Sequence, residues 1–406
     1  LQEIDRLAGI LSTYDETSEI SQWLKTQSNE VKVSDELFEV LTLFDEWEQK
    51  TSGVLTASIA AASTMWKNAE VSQQVPDENE LVLAVQAMKQ PQWRLNKEKQ
   101  TAIHLTDESL SLNSFVKSYI IKKVSDKLMR LPGVTGVVTN IGGDIVIAGT
   151  QTELVTVADP LADAENARQN LVLSLHDCAI ATSGNYRRGF QIGDQWFSHI
   201  LDPRTGLPVS QVISATVVAP QATDAGALST AFNILQTEAS AALAETIPGV
   251  EYQIITSDGI EMVSKGWNAV VIANGNNKYN NIAYDQSRAQ MNIELELARF
   301  EGRFRRPFVA VWIENKQKES VRTVALWYNK PRWLPDLKRW YSKNQSVMDD
   351  LAVMGSISSA TRSAGQYKLV WDGLDDKGTV VPSGPYTAYI DADRDPGTYH
   401  LIKHDI

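Results

Sequence analysis

Residues 273–288, ANGNNKYNNIAYDQSR, offer few apolar anchors and many turn formers. The pattern of the chain changes across them. Before this stretch, helical and strand patterns mix; after it, short strand runs alternate with Gly, Asp and Pro turns. A chain of 406 residues is also too long for one ordinary core. The expectation is a mixed α+β domain over 1–275, a linker over 276–289, and an all-β sandwich over 290–406.

Several classes are excluded early. The formal net charge of −12 argues against nucleic acid as a partner, because neutralising phosphates needs a basic face. Cys178 is the sole cysteine, so neither an intrachain disulfide nor a cysteine-based structural zinc site can form. No apolar run approaches the ~20 residues that span a bilayer. The opening LQEIDRLAGIL reads as an amphipathic helix. Any signal peptide is expected to have been removed or never present, and membrane attachment to require a removed N-terminal anchor.

Helical spacing of apolar residues runs through EIDRLAGIL, DELFEVLTLFDEWEQKTSG, DENELVLAVQAMKQ and NSFVKSYIIKKVSDKLMRLPG. Gly53, Pro91 and Pro132-Gly133 supply stops. GVLTASIAAASTMWKNAE reads as helical or extended. GVVTNIGGDIVIAG reads as two β-branched runs around a glycine pair. LVLSLHDCAIATSG, DQWFSHI and VISATVVAP follow as sheet, and QATDAGALSTAFNILQTEASAALAETI returns to helix. YQIITSDGIEMVS reads as a hairpin turning at Asp258-Gly259.

Four segments concentrate groups that could carry chemistry. In TNIGGDIVIAG, adjacent glycines serve either a tight strand connection or close backbone approach to an anion. In ATSGNYRRGF, Arg187 and Arg188 can clamp phosphate or simply lie on a solvated turn. SHILDPRTGLPV joins His199, Asp202 and Arg204 to the rigid Pro203 and the permissive Gly206. Its histidine suits either ligand binding, with acid-base work, or structure. TDAGALSTAFNIL opens a helix that Thr223 or Asp224 could cap, with Thr230 one turn after Gly226.

Taken together and in this order, NIGGD, TSGNYRR, HILDPRTGLPV and DAGALSTA resemble the ApbE family of FAD:protein FMN transferases. HIxDPxTG is the most specific of them. Supporting resemblance spans roughly residues 1–265. The resemblance implies a T-fold-like α+β architecture. It also implies FAD as substrate or ligand, and Mg²⁺-assisted transfer of FMN to Thr or Ser of an exported redox protein, with release of AMP. It further implies a periplasmic or exported location, possible as a lipoprotein.

By position, the resemblance assigns Tyr14 to flavin contact and Lys117 to the family's KGY lysine. Gly142, Gly143 and Asp144 fall on the glycine-rich segment near the nucleotide. Thr182, Ser183 and Gly184 fall on the loop nearing metal and phosphates. His199 and Ile200 line the FAD pocket, with Asp202, Arg204 and Gly206 in the turn behind it. Thr230 falls on the threonine of the metal site.

This sequence also departs from that pattern. The family's metal aspartate, four residues before the threonine, is Gly226 here. Asp224 could substitute, as metal ligand and catalytic group beside Thr230, only if the helix starts late or bends. On an ideal helix it lies about 200° away. The FDPT aspartate position is Thr56. The family's DLGGIAKGY reads SLNSFVKSY, with Ser111 for an acid and Asn113 and Ser114 for glycines. The metal side loses more than the HILDPRTG side, so the expectation is weakened or absent metal chemistry. An FAD-binding or scaffold homologue is the alternative to an active transferase.

The C-terminal run LVWDGLDDKGTVVPSGPYTAYIDADRD resembles FlgD-type immunoglobulin-like domains. Its aspartates could bind Ca²⁺ or belong to solvated turns. WYNKPRWLPDLKRWY is either a partner surface or buried core with basic flanks. An assembly role through this module is a third reading.

Overall fold

The computed structural model describes residues 1–162, 171–186, 188–274, 291–298, 306–328, 331–345, 348, 354, 358–359, 361–362, 364–394 and 399–406. The expected linker, 276–289, and Arg187 lie outside the described residues. Two compact units divide the chain, one of Leu1–Pro160 with Leu171–Asn274, the other built on the residues from Met291 onward.

The first unit is organised by an antiparallel sheet of seven strands: β1 (Gly136–Ile141), β2 (Asp144–Val157), β3 (Leu171–Gly184), β4 (Val212–Ala219), β5 (Glu251–Thr256), β6 (Glu261–Val263) and β7 (Val271–Asn274). The order is β6-β5-β4-β3-β2-β1, and β7 pairs with the early part of β3. The sheet thus takes in Ala273 and Asn274, which composition alone assigned to the asparagine-rich stretch.

Successive strand residues point to opposite faces, and both faces are buried. Ala179 and Ala181 of β3, with Ala215 and Val217 of β4, pack into the largest apolar cluster. Ile180 and Val218 join a second cluster with Leu173 and Trp267 on the other side.

Three helices shape the large-cluster side: α1 (Asp35–Lys50), α2 (Val116–Met129) and α3 (Ala222–Ala231). In α1, Ser34 caps the Leu37 amide, and Leu37, Val40, Leu41, Phe44 and Trp47 form one buried stripe. The α3 helix is almost wholly buried, and its small residues allow close approach to the sheet. The ambiguous GVLTASIAAASTMWKNAE run resolves into a short 3₁₀ turn, Ala57–Ile59, followed by the helix Ala60–Ser72.

In the second unit a five-stranded sheet runs in the order Ser358–Ser359, Ser320–Trp327, Phe308–Asn315, Tyr386–Asp393, His400–Asp405. Alternation along Phe308–Asn315 divides two cores. Val309, Val311 and Ile313 meet Ile293, Leu295 and Leu369 of a two-stranded sheet. Phe308, Ala310 and Trp312 meet Leu334, Leu337 and Trp340.

The second face therefore has a helical cover, Pro331–Asp336 and Lys338–Lys343, where strand patterns alone were expected. Trp340 is fully buried and donates to Thr323 Oγ1 at 3.1 Å, so it builds core and not a docking surface. Asp375 accepts backbone N–H groups from Lys377 and Thr379, and Asp376 accepts from Thr323. These two turn carboxylates serve as caps.

Candidate functional site

The glycine pair forms the two-residue turn between β1 and β2, where Ile141 pairs with Asp144. Both glycines have positive φ, +60° and +94°, which side-chain-bearing residues rarely adopt. Asn140 Oδ1 accepts from the Gly143 amide at 3.2 Å and fixes the turn.

The turn presents Asp144 to the first turn of α2. Lys117 Nζ lies 2.9 Å from Asp144 Oδ1 and 3.4 Å from the Gly142 carbonyl. Ser118 donates to Asp144 Oδ2 at 2.8 Å. Both carboxylate oxygens are therefore engaged. Asp144 and Ser118 are buried, while Lys117 keeps 43% of its side-chain surface. A partly exposed cation beside a glycine turn suits an anionic ligand.

Beyond Ser118 the α3 helix begins. Gly226 sits against α2, where a Cβ would overlap Ser118 Oγ and lie 3.2 Å from Phe115 Cα. One turn on, Thr230 Oγ1 donates to the carbonyls of Gly226 at 3.2 Å and Ser114 at 3.3 Å. The end of β3 closes the corner. Ser183 Oγ is 3.0 Å from Ser229 Oγ and 3.4 Å from Thr230 Oγ1, and Asn233 donates to the Ser183 carbonyl at 3.0 Å.

Lys117, Gly142, Gly143, Asp144, Ser183 and Thr230 thus meet at one corner. Tyr14 borders it: the side chain is exposed, and its hydroxyl oxygen accepts a 2.8 Å hydrogen bond from Asn113 Nδ2. Ser114, Ser118, Ser229 and Asn233 also build the corner, and sequence reasoning did not single them out as site residues. The available signals were Ser114 and Ser118 in SLNSFVKSY, each standing at a glycine of the family's DLGGIAKGY.

Thr182 does not join through its side chain. It bonds Thr216 Oγ1 at 3.0 Å, and its place beside Ser183 in the strand turns it to the opposite face. Asp224 does not join either. The helix starts at Ala222 with Gln221 as a cap residue lacking a side-chain cap bond, so it neither starts late nor is capped by Thr223 or Asp224. Burial raises the Asp224 pKa above the ordinary carboxylate value; Lys50 opposes the shift and Glu46 adds to it. Its electrostatic neighbours are thus on α1.

The HILDPRTG segment has hydrogen bonds of its own. The strand Gln195–Ser198 ends before His199, whose Nδ1 is 2.9 Å from the Arg188 carbonyl. A carbonyl only accepts, so Nδ1 carries the proton and Nε2 of the neutral ring is an acceptor. Although His199 has exposed surface, the atoms packed around its ring lower its pKa below the ordinary value. Ile200 is buried.

Asp202 and Arg204 pair with each other at 2.7 Å. The Asp202 carbonyl accepts from the Gly206 amide at 2.7 Å, with Gly206 at φ +72°. Trp66 Nε1 donates to the Gly206 carbonyl at 2.8 Å. The turn is self-contained and rests on the helices Ala60–Ser72 and Glu78–Met88.

Residues 1–254 match the family model described as the ApbE family. The chain belongs to the ApbE family. Curated relatives named FAD:protein FMN transferase include one from Haemophilus influenzae, 28% identical over 61% of this chain and 75% of that protein. Another, from Escherichia coli K12, is 25% identical over 63% of this chain and 75% of its own length. Among solved structures, the ApbE protein of Thermotoga maritima superposes with a TM-score of 0.60 at 22% identity, covering 66% of this chain and 88% of that one. The flavin transferase ApbE from Vibrio cholerae gives 0.54 at 24% identity, covering 66% and 89%. These two show the shared fold.

Residues 290–406 match a separate family, described as a predicted periplasmic protein (DUF2271). That match replaces the expected FlgD-type assignment for the second unit.

For an ApbE member, this chain departs most on the side where the resemblance implies Mg²⁺. Position 226 has no carboxylate, and a side chain there would crowd Ser118. Asp144 is committed to Lys117 and Ser118. The FDPT aspartate position, Thr56, caps the 3₁₀ turn, accepting from the Ser58 amide. Among the described residues no cluster of three or more His, Cys, Asp or Glu could hold a metal. The residues present do not fit a hard divalent cation, which takes carboxylate oxygens in near-octahedral geometry.

Proposed function

We propose that the first unit binds FAD and is of the FMN-transferring type. In that reaction FMN passes from FAD to a Thr or Ser of an exported redox protein, and AMP leaves. The observation that carries this reading is the convergence of Lys117, the Gly142-Gly143 turn and the Ser183–Thr230 hydroxyls at one corner. Kinship with proteins named FAD:protein FMN transferase supports it. Lys117 supplies positive charge to the pyrophosphate, and the glycine turn lets backbone approach it. Tyr14, His199 and Ile200 contact the flavin, while Asp202, Arg204 and Gly206 hold the turn behind them. Thr230, through its hydroxyl, ties the α3 helix to the Ser114 carbonyl at the floor of the corner.

A second reading has a specific observation in its favour. Gly226, walled by Ser118, leaves the corner without the carboxylate that metal-assisted transfer draws on. In that reading the chain holds FAD for a redox partner and transfers FMN slowly or not at all. The kinship of the second unit with a predicted periplasmic family supports an exported location for either reading; a lipoprotein anchor is the means of attachment that we propose. Among the described residues, no helix is long and apolar enough to cross a membrane.

One experiment separates the readings. The full chain is incubated with FAD, a flavin-acceptor protein and MgCl₂, with a chelator control. AMP release and covalent flavin fluorescence are followed. AMP together with flavinylated acceptor establishes transfer. Bound FAD without AMP establishes the holding role. No FAD binding overturns both.

A further inference from the structure

We infer that Ser118 and Gly226 are a reciprocal exchange that closes this corner of the first unit to a divalent cation. The inference deepens the FAD reading and rests on it for the location of the ligand. It starts from packing. Gly226 faces the first turn of α2, and a Cβ added there would overlap Ser118 Oγ, with Ser118 Cβ at 3.1 Å and Phe115 Cα at 3.2 Å. Rotation of the Ser118 hydroxyl could relieve the first contact only. Its Cβ and the Phe115 backbone would remain, and the bond to Asp144 would be lost. A side chain at 226, a carboxylate included, is therefore crowded mainly by Ser118, and a smaller residue at 118 removes two of the three close contacts.

The pattern in the sequence has the matching form. Where the family resemblance calls for glycine at 118 and aspartate at 226, this chain has serine and glycine. The side chain has moved from one helix to the other across the same contact. The charge has changed with it. Ser118 and Lys117 each take one oxygen of Asp144, so the buried carboxylate is satisfied within the protein. Thr230 then offers one neutral hydroxyl, already donating to backbone carbonyls. Restoring an acid at 226 alone would meet the Ser118 wall. Removing Ser118 alone would free space without supplying a ligand. Only the two changes together would reopen the corner.

The test is a double-mutant cycle in the full chain, read by thermal melting with and without MgCl₂ and by paramagnetic detection of bound Mn²⁺. Gly226→Ala and Gly226→Asp should each melt a few degrees below the native chain, as overpacked positions do. Each should recover most of that loss when combined with Ser118→Gly. The native chain should bind no Mn²⁺ at this corner and melt identically with and without Mg²⁺. Ser118→Gly/Gly226→Asp should bind Mn²⁺ and gain a Mg²⁺-dependent rise in melting temperature. A Mg²⁺-dependent rise in the native chain would overturn the inference. So would equal melting losses at 226 whether residue 118 is serine or glycine. FAD titration of the native chain is scored separately. Its failure would remove the flavin reading and leave the packing result to be judged on the melts.

Discussion

Replacing Gly206 by alanine tests how much of the HILDPRTG segment is scaffold. Gly206 sits at φ +72°, and a left-handed conformation costs a residue with a Cβ roughly 1–2 kcal/mol. The added Cβ would lie 3.2 Å from Leu81 Cδ2 and 3.4 Å from Val85 Cγ2. Both are side-chain methyls able to give by a few tenths of an ångström, so crowding adds about 1 kcal/mol, the low end of overpacking costs. The sum is about 2–3 kcal/mol, or roughly 4–12 °C in melting temperature for a unit of this size. Arg204→Ala removes only an ion pair with a half-exposed guanidinium, worth about 0–1 kcal/mol after solvent screening. Differential scanning calorimetry of the two variants should therefore show a clear loss for Gly206→Ala and almost none for Arg204→Ala. If Gly206→Ala melted within a degree of the native chain, the turn would not need glycine and the reasoning would fail.

Four further outcomes follow from the same structure. His199→Ala should weaken FAD binding several-fold by fluorescence titration, whereas Arg204→Ala should leave it nearly unchanged; equal losses would place Arg204 on the ligand. The folded pKa of His199 lies below the 6.5 of the unfolded ring, so the unfolded chain binds more protons just below that pH, and stability falls as pH drops through 6.5; His199→Gln should flatten this part of the melting-temperature profile. For Asp224 the folded pKa is raised, so its contribution to stability declines as pH rises above the unfolded value, and Asp224→Asn should melt higher than the native chain at pH 7 but not at pH 3. Trp340→Ala should cost the second unit about 3–5 kcal/mol, and a fragment spanning 290–406 should show its own cooperative melt that this substitution lowers.

Local chemistry carried much of the first unit. The Gly142-Gly143 turn was legible because a two-residue hairpin needs positive φ, and the Asp258-Gly259 turn because Gly259, at φ +81°, supplies it at the end of a three-residue loop. The helix Asp35–Lys50 was legible from its apolar spacing and its stop at Gly53. The residues that resemble a flavin-transferase family stand in sequence order, so the family could be read before any coordinates.

Tertiary structure decided the rest, because it concerns which faces meet. Whether Asp224 reaches Thr230 depended on where α3 begins, and Ala222 was not marked by a side-chain cap. Thr182 and Ser183 are neighbours in sequence but face opposite sides of the sheet once β3 pairs with β2 and β4. The helical cover Pro331–Lys343 was hidden because Trp333, Trp340 and Tyr341 read equally well as buried sandwich core or partner surface until a sheet face existed for Trp340 to fill. In the sequence Gly226 was legible only as a missing acid, and nothing there tied it to Ser118. Only the packing of α2 on α3 makes one the wall of the other, since contact between distant residues depends on the fold and leaves no local pattern to read.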